Sequence, residues 1–160
     1  MSWNHDDYKA WISHGSLKHK IPPLLKLDLR NCFFTENELQ SFDRLSDQVF
    51  MLDVANATCI RKNNPLGSLH WFKNYHQLVF LDCTYCGIKS LEPIRHMTKM
   101  KALSLNMNFL QTIDLEVIPA MGSHLQYLDI SDNMIESFDC ILPLSTIEHL
   151  RTERDASSLI

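Results

Sequence analysis

The chain has 160 residues, 45% hydrophobic and 21% charged, with a formal net charge of −4, which is about one domain with enough apolar material for a core. No stretch approaches the ~18 to 20 consecutive apolar residues of a membrane-spanning helix. Four glycines are too few and too scattered for a phosphate-cradling loop or a hydrolase elbow, and the mild acidity lacks the electrostatic footprint of a nucleic-acid binder. Residues 1–20 mix Trp3, Asp6, Asp7, Lys9 and three histidines with no apolar run, so they do not read as a secretory signal. Five cysteines in such a chain predict reduced thiols and an intracellular protein.

Along the chain, Tyr8, Trp11 and Ile12 fall at i, i+3 and i+4 before Gly15. This predicts a short N-terminal capping helix, the alternative being a free segment that waits for a partner. From Leu24 a pattern LxxLxLxx(N/C)xL recurs. It reads Leu24-Leu27-Leu29-Cys32-Phe34, Leu78-Leu81-Cys83-Cys86-Ile88, Met100-Leu103-Leu105-Asn108-Leu110 and Leu125-Leu128-Ile130-Asn133-Ile135, with a degenerate copy at Val49-Leu52-Val54-Ala57-Cys59. The starts at 24, 49, 78, 100 and 125 lie 25, 29, 22 and 25 residues apart, which is the signature of a repeat architecture. Positions 4 and 6 of each repeat flank one residue in a short strand, so they point to the core while positions 3, 5 and 7 face solvent. An Asn at position 9 suits a buried turn where it pairs with backbone groups, and a Cys there fills the space of a small apolar group.

The segments between strands differ. Thr35 and Glu38 form a capping-box pattern ahead of Leu39, Phe42 and Leu45, predicting a short helix. Asn63-Asn64-Pro65 followed by Trp71, Phe72 and Tyr75 predicts a loop and then an amphipathic turn. Leu91, Ile94 and Met97 recur every three residues, which suits a 3₁₀ turn. After the fifth repeat the phase runs on to Ile147 and Leu150 before the polar run Arg151 to Asp155. A sixth strand with a charged edge is one reading, and an array without its own cap is the other.

These motifs resemble the leucine-rich repeat family, over residues 24 to about 150. The resemblance implies an α/β solenoid, a horseshoe whose concave side is a parallel sheet of five to six strands and whose convex side is built of 3₁₀ and short helical segments. It divides the chain into a helical cap at 1–23, the repeats at 24–150 and a polar edge at 151–160. The short units are similar to those of phosphatase regulators, and the first repeat to the ribonuclease-inhibitor type. The family likeness implies a non-enzymatic regulatory or adaptor subunit that grips a protein partner, with no cofactor and a monomeric chain. A subunit of a ribonucleoprotein, RNA-processing or export complex, and a substrate receptor of a ubiquitin ligase, are the alternatives. The ~23 residues before the first repeat are too few for an F-box, which weakens the last of these.

On that register, the concave face carries Lys26, Met51, Phe80, Ala102 and Tyr127 at position 3, Asp28, Asp53, Asp82, Ser104 and Asp129 at position 5, and Arg30, Ala55, Thr84, Asn106 and Ser131 at position 7. An acidic ladder therefore runs beside an apolar stripe in which Phe80 and Tyr127 are expected to be exposed, a surface suited to a basic, partly aromatic segment. The rival account of the ladder is that Asp is a solvated strand residue in this family. Direct RNA contact is disfavoured by the carboxylates. Between Lys101 and Arg151 there is no Lys or Arg, while Asp114, Glu116, Asp129, Asp132, Glu136, Asp139 and Glu148 supply seven negative charges, which are expected to steer a basic partner. Cys83 and Cys86 form a CxxC, but both occupy inward positions, so they read as core and not as metal or redox ligands. The sequon Asn56-Ala57-Thr58 falls in a strand turn, where glycosylation is not expected.

Overall fold

The computed structural model describes residues 2–13, 24–59, 64–113, 117–121 and 124–137. The elements run, in chain order, β1 (Ser2–Trp3), α1 (His5–Ser13), β2 (Leu24–Asp28), β3 (Phe33–Phe34), α2 (Glu36–Gln40), a 3₁₀ helix (Ser41–Leu45), β4 (Val49–Asp53), β5 (Thr58–Cys59), β6 (Asn64–Pro65), a 3₁₀ helix (Leu69–Phe72), β7 (Phe80–Asp82), a 3₁₀ helix (Glu92–Ile94), β8 (Ala102–Ser104), α3 (Val117–Met121) and β9 (Tyr127–Asp129). The main sheet has six parallel strands in the order β1-β2-β4-β7-β8-β9. A small second sheet, β3-β5-β6, sits beside the turns. The expected α/β solenoid is the observed architecture.

The sheet register follows the repeat phase. Leu27, Leu52, Leu81, Leu103 and Leu128 align across five strands, and with Trp3 they form one row. The five leucines are fully buried, as are Leu29, Val54, Cys83 and Leu105 two residues on, so positions 4 and 6 make one wall of the core. The intervening segments make the other wall. In the first, Thr35 caps α2 through a complete capping box with Glu38, and Leu39, Phe42 and Leu45 are buried. Leu69, Phe72 and Tyr75 repeat that role in the second, and Leu91, Ile94 and Met97 in the third, where spacing of three fits the 3₁₀ geometry.

The N-terminal half of this core is aromatic. Tyr8, Phe34, Phe42, Phe72 and Tyr75 form a chain of rings with centroids 5.0 to 6.3 Å apart. The buried hydroxyls keep their hydrogen bonds: Tyr75 donates to the Phe42 carbonyl at 2.8 Å and Tyr8 to that of Glu38 at 2.6 Å. Tyr8 thus packs α1 against the first repeat. An unforeseen addition is β1, which precedes the helix and extends the sheet by one strand alongside β2. The expected C-terminal strand near residues 147–153 lies outside the described residues.

Each strand ends in the same turn. Position 8 of all five repeats has a left-handed backbone, with φ of 57° at Asn31, 56° at Asn56, 54° at Tyr85, 55° at Met107 and 51° at Asp132. The turn throws backbone polar groups into the core, where they need partners. Asn108 supplies them: its amide nitrogen donates to the carbonyls of Cys83, Leu105 and Asn106, and its oxygen accepts from the N–H groups of Cys86 and Ile88 at 3.1 and 2.8 Å. Asn133 repeats the arrangement one coil later, on Leu105, Ile130, Ser131 and Leu110. Where Cys stands at position 9 the thiol is more than apolar filler. Cys86 donates to the Val54 carbonyl at 3.0 Å, and Cys32 to that of Arg30 at 3.3 Å.

Asn108→Ala would strand the buried N–H groups of Cys86 and Ile88 and the Cys83 carbonyl, while the Leu105 and Asn106 carbonyls keep the bonds they accept from Asn133 and Tyr85. It is expected to lower unfolding free energy by about 2–4 kcal/mol, whereas Cys86→Ala, which removes only weak thiol bonds, costs about 1 kcal/mol. Urea unfolding of the two variants measures the difference, and equal losses would remove the special role assigned to the Asn.

Candidate functional site

The open face of the sheet is the candidate interaction surface, and its rows are fixed by hydrogen bonding. Position 3 aligns Ser2, Lys26, Met51, Phe80, Ala102 and Tyr127 across the six strands. Position 5 aligns Asp28, Asp53, Asp82, Ser104 and Asp129. The ladder continues beyond the strands: Asn31 N–H bonds the Ala55 carbonyl, Asn56 that of Thr84, Tyr85 that of Asn106 and Met107 that of Ser131. Arg30, Ala55, Thr84, Asn106 and Ser131 are therefore also in line.

Each aspartate at position 5 has a local task. One carboxylate oxygen accepts the backbone N–H of the residue two positions on: Arg30 for Asp28, Ala55 for Asp53, Thr84 for Asp82 and Ser131 for Asp129, at 2.9 to 3.3 Å. This is the Asx turn that lets a short polar side chain close the end of a strand. The ladder consequently has a structural origin in every repeat that carries Asp, and only the second oxygen is left to answer a partner.

At the N-terminal end that second oxygen is already engaged. Arg30 reaches Asp28 at 2.8 Å and Asp53 in the next coil at 3.2 Å, and Lys26 lies 3.8 Å from Asp28. The Arg30 hydrogen bond holds the Asp28 carboxyl below its ordinary range. Asp53 goes the other way. It is 6% exposed, and burial, with Asp82 and Asp28 adding repulsion, raises it despite the Ala55 N–H and Arg30. The sequence reading of Asp53 as an open rung is corrected accordingly: it is a buried carboxylate clamped by a cross-coil arginine.

Asp82 and Asp129 differ. Among the described residues neither has a basic partner within ion-pair distance, and both are partly exposed. Phe80 and Tyr127 lie beside them at position 3, half-buried and not exposed as expected; Phe80 stands between Met51 and Ala102, and Tyr127 has Ala102 alongside it. The polar row is cross-linked: Thr84 and Ser104 hydroxyls are 3.0 Å apart, the Asn106 amide donates to Ser131 at 2.6 Å and to Asp132 at 3.2 Å, and the Ser131 hydroxyl donates to Asp129. Met51 is half-buried between Lys26 and Phe80. Of the seven acids in the C-terminal third, Asp129, Asp132 and Glu136 lie among the described residues, and the last two are exposed.

The exposed large apolar side chains among the described residues lie beyond the predicted rows. Tyr85 (53%) and Met107 (50%) occupy the left-handed position 8 of successive coils, and Phe33 (61%), Phe109 (48%) and Met134 (51%) occupy position 10 of their repeats. A left-handed backbone suits Asn31, Asn56 and Asp132, whereas a bulky residue there costs about 1–2 kcal/mol. Two such residues side by side, pointing to water, form an apolar rim on the concave face. The sequence signal was a Tyr and a Met in the polar half of the repeat, which the alternation of strand positions does not weigh. The cysteines are where the register put them: Cys32, Cys59, Cys83 and Cys86 are free and buried, and burial pushes the Cys32 thiol up to about 11 and that of Cys83 well above its ordinary value. Cys140 lies outside the described residues.

A family model described as Leucine Rich Repeat matches residues 124–150. Among solved structures, internalin C2 from Listeria monocytogenes strain 4b F2365 superposes with a TM-score of 0.54 at 18% identity, covering 81% of this chain and 70% of its own. At that identity the likeness is one of fold. Among the described residues no helix is long and apolar enough to cross a membrane.

The Arg30 clamp makes a signed prediction. Arg30 lowers Asp28, so its contribution there exists above the unfolded carboxyl range and is lost as pH falls through the folded value. Asp53, already raised, rises further without Arg30, so its penalty is present at neutral pH and is relieved by protonation. Arg30→Ala is therefore expected to lower the urea midpoint at about pH 7 and to approach the wild type near about pH 3. A pH-independent loss would show that Arg30 acts through packing alone.

Proposed function

The chain is a leucine-rich repeat protein, and from that premise we propose that it is a non-enzymatic protein-interaction module, an intracellular adaptor or regulatory subunit that holds a basic, partly aromatic segment of a partner on its concave sheet. The observation that carries this reading is the pairing, in one register, of Phe80 with Asp82 and Tyr127 with Asp129, at the end of the ladder that Arg30 does not reach. Lys26, Asp28, Arg30, Met51 and Asp53 form a charge-compensated floor at the other end. Thr84, Asn106 and Ser131 supply polar contacts along the edge.

A rigid sheet suits this work. Hydrogen-bonded strands and cross-linked side chains are ordered before binding, so little entropy is lost on the protein's side. The half-buried rings offer flat apolar ground, and the rim of Tyr85 and Met107 extends it. A guanidinium or ammonium from the partner would meet the outer oxygens of Asp82 and Asp129, where partial burial strengthens the attraction relative to open water. Anchors of this type concentrate binding energy in few residues.

Affinity purification with quantitative mass spectrometry tests the proposal. Phe80→Ala with Tyr127→Ala is expected to reduce capture of the specific partner by about tenfold or more while circular dichroism stays native. Asp82→Lys with Asp129→Lys is expected to abolish the salt dependence of binding. Full capture by both folded double variants would move the interface elsewhere. Nuclease treatment before the pull-down should leave the partner bound, and its release would favour the ribonucleoprotein reading.

A further inference from the structure

On the convex side, across the core from the sheet, the 3₁₀ helices Leu69–Phe72 and Glu92–Ile94 and the turns that follow them enclose an open cleft of about 510 Å³, lined chiefly by His70, Lys73, His76, Glu92, Arg95 and His96. Lys73 lies five residues before Leu78 and Arg95 five before Met100, the starts of successive repeats, so two cations occupy the same place in adjacent coils. Two imidazoles stand with them: the His76 and His96 rings are 4.6 Å apart with planes inclined by 58°. His96 Nε2 is buried without a hydrogen-bond partner. The Lys73 ammonium lies 3.3 Å from His70 Nε2.

Glu92 is the carboxylate facing this group, and it bonds Arg95 at 2.8 Å. One carboxylate against Lys73, Arg95 and two protonatable rings leaves the cleft short of negative charge. Two cations lining one cleft favour an anion between them, and they oppose a metal ion at the imidazoles. Protonated, His96 Nε2 becomes a donor with no acceptor, and a turn of the ring from its covered position toward the cleft would give it an oxygen there. We propose that this cleft binds a tetrahedral oxyanion of the phosphate class, either a free ion or a phosphorylated side chain, held by Lys73 and Arg95 and by N–H donation from His76 and His96.

The chemistry fixes the pH dependence. Burial, and then the neighbouring His76, hold His96 below the ordinary imidazole range, against a backbone hydrogen bond to Lys73 that works the other way. An anion that needs the protonated ring must take up a proton on binding, so affinity rises as pH falls. Sulfate keeps its charge over this range and is the clean probe.

Sulfate titration at constant ionic strength, followed by the ring-proton NMR signals of His76 and His96, tests the site in the full chain. Saturable shifts are expected, tightening from about pH 7.5 to about pH 5.5. Lys73→Met and Arg95→Met, both on exposed side chains, should each weaken the apparent Kd by about tenfold. Glu92→Gln, by removing the competing carboxylate, should tighten it severalfold, an effect that a purely structural role would not produce. Non-saturating shifts that chloride reproduces, or a Kd indifferent to all three substitutions, would overturn the proposal. Inorganic phosphate and a phosphoserine peptide with neutral flanks, set against the unphosphorylated peptide, identify the source: tighter binding of the phosphopeptide than of the free ion assigns the site to a modified chain, and equal binding assigns it to the ion.

Discussion

Turning the chain sharply after the strand of each repeat forces backbone N–H and carbonyl groups into an apolar interior, and the rest of this structure depends on how they are satisfied. Asn108 and Asn133 do so with a side chain that both donates and accepts, each serving backbone groups of two successive coils. Because the partners belong to neighbouring repeats, the same bonds that close one turn lock the next coil in register. The left-handed residue at position 8 and the Asx turn at position 5 are the outer half of this device. Together they bring the residues at positions 3, 5 and 7 to a common face.

Much of that was legible in the residues, and the reasons are physical. Leu27, Leu52, Leu81, Leu103 and Leu128 could be aligned because burial demands the same side-chain class at the same phase in every coil. The capping box at Thr35 and Glu38 was visible because both partners are close in sequence. Interactions between coils were not. The burial of Asp53 depends on Arg30, which stands one repeat earlier and reaches across, so no local window contains both. β1 has two residues, too few for any periodicity to register. Tyr85 and Met107 escaped notice because a left-handed turn ordinarily announces itself through Gly, Asn or Asp.

The candidate surface is similarly divided. Its rows could be written from the repeat phase, yet the division of labour within the acidic row emerges only from geometry. Each Asp spends one oxygen on its own backbone, and Arg30 takes the other at one end. An apparently uniform ladder is thus graded from compensated to open, and the open end coincides with the paired rings and the apolar rim. The convex cleft is weighted the other way, with Lys73 and Arg95 against the single lining carboxylate of Glu92, a local contrast that the net charge of −4 conceals.

The aromatic chain from Tyr8 to Tyr75 has a further implication for mechanics. Large rings tie α1 and the first two repeats into one block, with two hydroxyl bonds as rivets, whereas beyond Met97 the core is Leu, Ile, Val and Met, whose smaller and more mobile side chains pack with less directional constraint. The ring contacts therefore end near Tyr75, and the later coils are held in register by Asn108 and Asn133 instead. The proposed anchors, Phe80 and Tyr127, straddle that change, one near the aromatic block and the other on the last described strand. A partner seated across both would act as a splint, tying coils joined by rings to coils joined by amides.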